Sequence, residues 1–258
     1  MLKSAGALLL AALVGGAVAQ PYATWNRFRE ITINTTATGG GANVAGSVAN
    51  FPVLVRLEAS GGAATGGNIL TEALAGGADV RFTDSTGNTA LSYQIEHWSA
   101  ARAAIWVRVP TVTGNANTKI RVYWGRSGQT SLSSGPAVFD TANGFTGVWH
   151  LNEDGGVSVV DATVNALHFT GNAQVPAVPG IAGNARYYNQ GVGGTDEYKV
   201  DERANDPKFH AQGANTRITL SAWVNRRAPG SSGSQGVFSN FRYAAGGNRS
   251  YALMRNAD

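Results

Sequence analysis

The sequence predicts an all-β protein built from two tandem antiparallel β-sandwiches, and three observations support that prediction. Short segments alternate polar and apolar residues, turn-forming residues separate these segments, and no long stretch shows helical periodicity. Only 14% of the 258 residues are charged, whereas 34 are glycine and 8 are proline. This composition suits short strands joined by turns better than long helices with salt-bridged surfaces.

Residues 1–19 are predicted to be a secretory signal peptide. The segment has Lys3 near its start, then an apolar run, and it ends on Ala17, Val18 and Ala19, an A-x-A pattern that predicts cleavage before Gln20. The apolar run is shorter than the ~20 residues that span a bilayer, which disfavours the alternative of a membrane anchor. We therefore expect a secreted, periplasmic or cell-surface protein without a membrane-spanning segment.

The first predicted domain covers residues 20–125. In residues 51–57 (FPVLVRL) every second side chain is apolar, as expected of a strand with one buried face. Residues 84–88 (DSTGN) form a strong turn signal between two such segments. The other segments with this alternation are residues 29–34, 80–82, 91–95, 105–109 and 120–124.

Residues 126–138 are predicted to be a linker, because they are mostly small and polar and contain a Gly-Pro pair that interrupts strands and helices. The second predicted domain covers residues 139–258.

Charge and cysteine content exclude several classes of protein. The chain has no cysteine, which excludes a disulfide scaffold, zinc fingers, iron–sulfur clusters and thiol catalysis. Residues 20–138 hold nine Lys/Arg and six Asp/Glu, a net charge of +3, and residues 139–258 hold ten of each, a net charge of zero. No basic run or basic helix concentrates charge as a nucleic-acid binder would, so no nucleic-acid partner is expected.

Six motifs of the first domain occur in one order along the chain. They are TWNRFREITI at 24–33, FPVLVRL at 51–57, GADVRFTD at 77–84, YQIEHW at 93–98, AIWVRVP at 104–110 and VYWG at 122–125. In this order they resemble a bacterial family known as domain of unknown function 2341, over about residues 22–130. That family usually closes on Tyr-Tyr-Gly, where this chain has Tyr123, Trp124 and Gly125.

A further set of motifs occurs in the second domain. They are GVWHLNE at 147–153, DATVNALH at 161–168, YKV at 198–200, ITLSAWV at 218–224, VFS at 237–239 and SYAL at 250–253. Together they resemble the first strands and the Asp-containing turn of a concanavalin-A-like, laminin-G-type jelly roll. The family continues with several more strands, so the resemblance implies that this domain is incomplete at its C-terminus and that the chain is an N-terminal fragment.

Patterns for catalysis are weak in this sequence. The four histidines, His97, His150, His168 and His210, lack the spacing of a helical metal-ligand pair, and each is expected to be a surface or strand residue. A Gly-x-Ser-x-Gly nucleophile elbow is absent from the sequence. Alternating carboxylates along one strand, as jelly-roll glucanases use, are absent as well.

A structural calcium ion is the one cofactor that we predict. Asp161, Thr163 and Asn165 alternate as oxygen donors, although the segment lacks the glycine and glutamate of an EF-hand. The laminin-G resemblance implies a calcium near this turn and the opening strand, held by Asp161 and Glu153. The alternative is a turn in which the Asp161 carboxylate accepts hydrogen bonds from its own backbone.

Three tyrosines, Tyr187, Tyr188 and Tyr198, lie beside glycine-rich segments and are candidates for stacking against a sugar ring. The alternative for these tyrosines is core or rim packing. Five tryptophans lie in strand patterns and are expected in the cores: Trp25, Trp98, Trp106, Trp149 and Trp223.

Taken together, these features predict an exported, non-catalytic binding or adhesion module that recognises a glycan or a surface protein of the bacterial envelope. Two alternatives stay open. One is an accessory part of a carbohydrate-active enzyme. The other is the periplasmic portion of a Tol/Exb-type biopolymer-transport proton-channel protein, because domains of these two kinds sometimes precede such a segment.

Overall fold

A computed structural model describes residues 20–38, 43–154, 158–171, 175–188, 198–199, 217–225, 235–240 and 251–255. The predicted signal peptide lies outside the described residues, as does most of the chain after residue 188. In the part that is described, no helix is long and apolar enough to cross a membrane.

The described chain is all-β, as the sequence predicts. Two short α-helices, α1 (Gly67–Glu72) and α2 (Gly135–Val138), interrupt the strands, and short 3-10 turns flank them. The strands are β1 (Arg27–Asn34), β2 (Val48–Glu58), β3 (Arg81–Asp84), β4 (Ala90–Leu91), β5 (Tyr93–Trp98), β6 (Arg102–Val112), β7 (Asn117–Trp124), β8 (Ser158–Val159), β9 (Phe169–Gly171), β10 (Ala177–Pro179), β11 (Asn184–Arg186), β12 (Tyr198–Lys199), β13 (Gln235–Asn240) and β14 (Tyr251–Arg255).

The first seven strands form an antiparallel sandwich. One sheet has the strand order β1-β7-β3-β4 and the other has the order β2-β6-β5. Because side chains alternate between the two faces of a strand, each sheet turns one apolar row toward the other sheet. Phe82, Ile120 and Val122 come from the first sheet, and Ile105 and Val107 come from the second; all five are buried. Each such side chain contributes about 1.5–3 kcal/mol by leaving water.

The predicted turn at residues 84–88 is confirmed. The Asp84 carboxylate accepts hydrogen bonds from the backbone amides of Gly87 at 3.0 Å and Asn88 at 3.2 Å, and from the Thr86 hydroxyl at 2.8 Å. Gly87 has a φ of 85°, in the left-handed region that favours glycine. The turn delivers the chain from β3 into β4, which pairs with β3.

The segment predicted to be a linker is hydrogen-bonded to the first sandwich. The Ser134 amide donates to the carbonyl of Tyr93 at 2.8 Å, and the Ile95 amide donates to the Ser133 hydroxyl at 2.8 Å. These bonds cover the outer edge of β5, which would otherwise be an open sheet edge. Helix α2 follows at once, with Val138 fully buried. Residues 126–138 therefore run along the first sandwich and connect directly to the chain after residue 138.

After residue 139 the described strands form small antiparallel sheets. They are a sheet of order β12-β9-β8, the pair β10-β11 and the pair β13-β14. Val159, Leu167 and Val175 are buried among these elements. The antiparallel pairing agrees with the all-β prediction, and the arrangement of these strands as a jelly roll stays a prediction.

One expectation about the second domain is wrong in this structure. Residues 218–224 were expected to form a strand with Trp223 in the core, yet the segment is not a strand and Trp223 is 82% exposed. Among the described residues no strand pairs with this segment. Trp149 is enclosed, in contrast, because its ring stacks on Phe169 with centroids 4.3 Å apart.

Candidate functional site

The candidate site begins at a β-bulge in the edge strand β5. The pairing register with β6 shifts between Ile95 and His97, which leaves Glu96 as the extra residue. A bulge re-aims the side chain that it carries, and bulges are frequent beside binding and active sites. Here the Glu96 carboxylate lies on the outer face of the sheet, where its Oε2 accepts a hydrogen bond from the Trp106 indole nitrogen at 2.5 Å.

The chain after α2 packs on this outer face. Phe139 meets the Trp106 ring edge-on with centroids 5.7 Å apart, and the His150 ring stacks on Trp106 at 6.0 Å. Arg108 of β6 forms an ion pair of 3.1 Å with Asp140. We call this contact between the outer face of sheet β2-β6-β5 and the following chain the junction. It brings aromatic rings together with the partly exposed Arg108–Asp140 ion pair.

Glu96 and His150 face each other inside the junction. Nδ1 of His150 lies 3.3 Å from Oε2 of Glu96, and Nε2 of His150 lies 3.0 Å from the amide oxygen of Gln94. Because an amide oxygen only accepts, Nε2 carries a proton, and in neutral imidazole Nδ1 is then an acceptor. With Nδ1 as acceptor, the Glu96 carboxyl group can donate a hydrogen bond to it when that group is protonated.

Burial sets the charge state of both groups. The Glu96 side chain is 5% exposed, and this burial raises its pKa to about 7, although the hydrogen bond from Trp106 acts in the opposite direction. The His150 side chain is 13% exposed, and burial lowers its pKa to about 4, against the pull of the Glu153 and Asp161 carboxylates. Near neutral pH the junction therefore favours an uncharged His150 and a Glu96 that holds its proton close to half of the time.

A half-open cleft of about 220 Å³ lies beside this pair. Its walls come from β5 on one side and from residues 150–153 and 160–162 on the other. Polar groups line its floor, and Val160 stands 50% exposed at its rim. The lining residues are Gln94, Ile95, Glu96, His150, Asn152, Glu153, Val160 and Ala162.

Two asparagines fix the far wall of the cleft. The Asn152 side chain donates to the carbonyl of Glu96 and accepts from the Asn184 amide at 2.6 Å. The Asn184 side chain in turn donates to the Asp154 carboxylate at 3.0 Å. Strand β11 is thereby connected through Asn152 to the bulge of β5, so the two walls of the cleft are held to each other.

The chemistry available in the cleft is hydrogen bonding and proton transfer. Glu96 can accept or release a proton near neutral pH, as a general acid or base must. Among the described residues, however, no group of three or more His, Cys, Asp or Glu could hold a metal ion. The cleft is thus a small polar recess with Val160 at its rim, and its lining includes the Glu96 carboxyl group, whose pKa is about 7.

The structure places Asp161 in a closed hydrogen-bonded turn. Its Oδ1 accepts from the amides of Val148 and Thr163, each at 2.9 Å, and its Oδ2 accepts from the Thr163 hydroxyl at 2.8 Å and the Leu167 amide at 2.9 Å. Asp161 is 4% exposed. The bonds from the Thr163 and Leu167 amides are local backbone bonds, as expected of the turn that is the alternative to calcium, and the bond from Val148 ties this turn to the preceding strand segment.

Glu153, the second residue predicted to hold calcium, contacts different partners. One carboxylate oxygen accepts from the Val160 amide at 2.8 Å, and the other lies 3.3 Å from the Arg186 guanidinium. A calcium ion shared by Asp161 and Glu153 would have to compete with these donors. A calcium role for the two residues stays a prediction.

Of the three tyrosines predicted to bind a ligand, Tyr187 and Tyr188 are not among the described residues that line the cleft. Tyr187 and Tyr188 follow β11, where Tyr187 is half-buried and Tyr188 is exposed. Tyr198 lies in β12, paired with Gly171 of β9, and its side chain is outside the described part of the structure. Their role in ligand binding stays a prediction.

The sequence did not predict that Glu96, Trp106 and His150 lie in contact. His150 was expected at the surface or in a strand, yet it is enclosed by Trp106 and Phe139. The available signal was indirect: Glu96 and Trp106 fall within two of the motifs quoted above, and His150 falls within a third.

This geometry defines the class of protein: it is an all-β sandwich with a polar cleft at the junction. Comparison with protein families adds one match: residues 76–152 fit the family described as Domain of unknown function (DUF2341). The match confirms the family resemblance for residues 76–130, and it extends beyond them to His150 and Asn152 of the junction. Searches of curated proteins and of solved structures each found no match.

Proposed function

We propose that this chain is an exported, non-catalytic recognition module of the bacterial envelope that binds a glycan or a surface protein. The cleft beside Glu96 and His150 is the observation that carries this proposal. Its walls are joined by hydrogen bonds, so a ligand would meet a preformed recess, which lowers the ordering cost of binding.

The size and lining of the cleft favour a single sugar residue as the group bound there. A volume of about 220 Å³ lies below the ~300–1,000 Å³ of typical small-molecule pockets, so the cleft suits one ring or one side chain. A sugar ring has a C–H face that can pack on Val160 and hydroxyl groups that can pair with polar atoms. Within the described residues the amide nitrogen of Gln94 has no hydrogen-bond partner, which leaves it available to a ligand.

The second domain supports the same proposal through its resemblance to concanavalin-A-like, laminin-G-type domains, which serve recognition. In this reading the first sandwich fixes the orientation of the following chain through the junction. Calcium, if bound by Asp161 and Glu153, would order the second domain without touching the ligand.

The test is a glycan array probed with the full chain, followed by calorimetry on any sugar that binds. Val160→Trp should fill the cleft from its rim and abolish binding, because Val160 is exposed and its replacement leaves the core untouched. Gln94→Ala should weaken binding about fivefold, the effect of one lost neutral hydrogen bond. Val164→Trp is the matched control, since Val164 is exposed and outside the cleft.

Two outcomes would contradict the proposal. If Val160→Trp and Val164→Trp bind the same sugar equally well, the cleft is not the recognition site. If the chain hydrolyses a bound polysaccharide, and Glu96→Gln abolishes that hydrolysis, the module is an enzyme.

A further inference from the structure

A second surface of the first sandwich carries four aromatic side chains in a continuous row of ring contacts. Tyr22 contacts Trp25 with centroids 5.0 Å apart and contacts Tyr123 at 5.6 Å; Tyr123 in turn contacts Phe28 at 5.6 Å. Phe28 and Tyr123 are directly paired across β1 and β7 and lie on the outer face of that sheet. Phe28 is 57% exposed.

Three arginines lie over rings of this row: the buried Arg81 guanidinium is 5.6 Å from the Trp25 ring centroid, and two partly exposed arginines lie over the ends of the row. The Arg121 guanidinium is 5.3 Å from the Phe28 ring centroid, and the Arg126 guanidinium is 4.7 Å from the Trp25 ring centroid. Both distances are within the range of cation–π attraction, which orients the guanidinium groups on the rings. We call this surface the arginine–aromatic face; its residues are Tyr22, Trp25, Phe28, Tyr123, Arg121 and Arg126.

The arginine–aromatic face has one carboxylate beside it, because Glu30 lies directly opposite Arg121 across β1 and β7. Within the described residues neither Arg121 nor Arg126 forms an ion pair, and Arg121 donates to the carbonyl of Thr86 at 3.1 Å. On the same sheet face Lys119 differs, because it forms an ion pair of 2.6 Å with Glu30. The face therefore combines the exposed Phe28 ring with two guanidinium groups that form no direct ion pair, since the neighbouring Glu30 is paired with Lys119.

We propose that the arginine–aromatic face binds an anionic polysaccharide. Guanidinium groups match the geometry of carboxylate, sulfate and phosphate groups and can donate two parallel hydrogen bonds to them. The exposed Phe28 ring provides an apolar surface for the C–H face of a sugar ring. A neutral glycan would leave the two cations without a partner, and an acidic polypeptide would make little use of the ring beside them.

This binding surface is separate from the cleft. It lies on sheet β1-β7-β3-β4, whereas the cleft lies on strand β5 of the other sheet. The two sites can therefore be disabled independently. The inference goes beyond the proposed function and does not depend on the cleft.

The experiment measures binding of the full chain to polygalacturonate, with dextran as the neutral polymer, by affinity electrophoresis and calorimetry. We expect binding to polygalacturonate that weakens as salt is added, and no binding to dextran. The double variant Arg121→Gln, Arg126→Gln should lose at least tenfold in affinity, since each charge-assisted hydrogen bond that is lost accounts for about tenfold. Phe28→Ala should lose about threefold or more through the ring contact alone.

The matched control is the double variant Arg27→Gln, Arg56→Gln, which removes the same charge from two residues that already form ion pairs outside the arginine–aromatic face. It should change the affinity by less than about twofold, given how little surface ion pairs contribute. Equal losses in the two double variants would overturn the proposal, because binding would then follow net charge alone. Tighter binding of polyglutamate than of polygalacturonate would overturn the carbohydrate assignment, and so would an absence of polygalacturonate binding.

The cleft variant Gln94→Ala should bind polygalacturonate as the unchanged chain does, and a loss there would contradict the separation of the two sites. Thermal unfolding of each variant excludes loss of fold as the cause.

Discussion

Oε2 of Glu96 lies 3.3 Å from Nδ1 of His150, and this contact joins the bulge of β5 to the chain that follows the first sandwich. Both groups are withdrawn from water, so each favours its uncharged form. The junction therefore holds a pair of groups whose pKa values are shifted in opposite directions, that of Glu96 upward and that of His150 downward.

This pairing predicts a cancellation in the pH dependence of stability. The folded pKa of Glu96, about 7, is raised above its ordinary value of 4.5, so its contribution to stability is lost as pH rises through that window. The folded pKa of His150, about 4, is lowered from 6.5, so its contribution is lost as pH falls through that window. Between pH 4.5 and 6.5 the two contributions oppose each other, and the pair adds little net slope.

The first prediction is that His150→Phe exposes the titration of Glu96. Phenylalanine keeps a ring against Trp106 and Phe139 but cannot titrate. The free energy of unfolding of this variant should fall as pH rises from 4.5 to 7, by at most about 3 kcal/mol. Urea unfolding at a series of pH values measures it, and a free energy that rises with pH across this window would contradict the assignment.

The second prediction is that Glu96→Gln exposes the titration of His150. Glutamine preserves an acceptor for the Trp106 indole and removes the carboxyl proton. The free energy of unfolding should now fall as pH decreases from 6.5 to 4, also by at most about 3 kcal/mol. Glu58→Gln serves as the control, since Glu58 is bound by Arg56 at the surface, and its pH profile should parallel that of the unchanged chain.

The third prediction separates two effects at neighbouring glycines. Gly76 and Gly77 have φ values of 68° and 71°, so alanine at either position costs about 1 kcal/mol in backbone strain. A Cβ at Gly76 would meet nothing within 4 Å, whereas a Cβ at Gly77 would lie 2.6 Å from the Trp98 ring. Gly77→Ala should therefore lower the free energy of unfolding by about 1–3 kcal/mol more than Gly76→Ala. Equal losses in chemical denaturation would show that the Trp98 ring moves freely.

Sequence alone predicted the features that depend on neighbours along the chain. The alternation in β2 and β6 and the turn at Asp84 were confirmed, because a strand face and a capped turn are encoded within a few residues. The candidate site could not be predicted in this way. Gln94 and His150 are 56 residues apart, and they meet only because the chain after α2 packs on an outer sheet face.

The wrong expectation for Trp223 has a local cause. In residues 218–224 the apolar row alternates with Thr219, Ser221 and Trp223, so the alternation itself places Trp223 on the polar face. The buried Asp79 is the opposite case. Its carboxylate accepts from the amides of Leu74, Gly125 and Arg126. Gly125 and Arg126 are 46 and 47 residues away, so no local sequence pattern predicts these two bonds.

The last prediction concerns Asp161 and decides between the turn and calcium. An ionised carboxylate has about four acceptor positions, and in this turn Asp161 already accepts four hydrogen bonds. Asp161→Asn would replace one acceptor oxygen by a donor that faces the Leu167 amide, so the free energy of unfolding should fall by about 2–3 kcal/mol. Asp154→Asn is the control at an exposed carboxylate and should cost less than about 1 kcal/mol. For the turn role, the loss in Asp161→Asn should be the same in a chelator as in excess calcium. A melting temperature that rises with calcium in the unchanged chain, and not in Asp161→Asn or Glu153→Gln, would instead establish the calcium site, because an ion that binds only the folded state stabilises it by mass action.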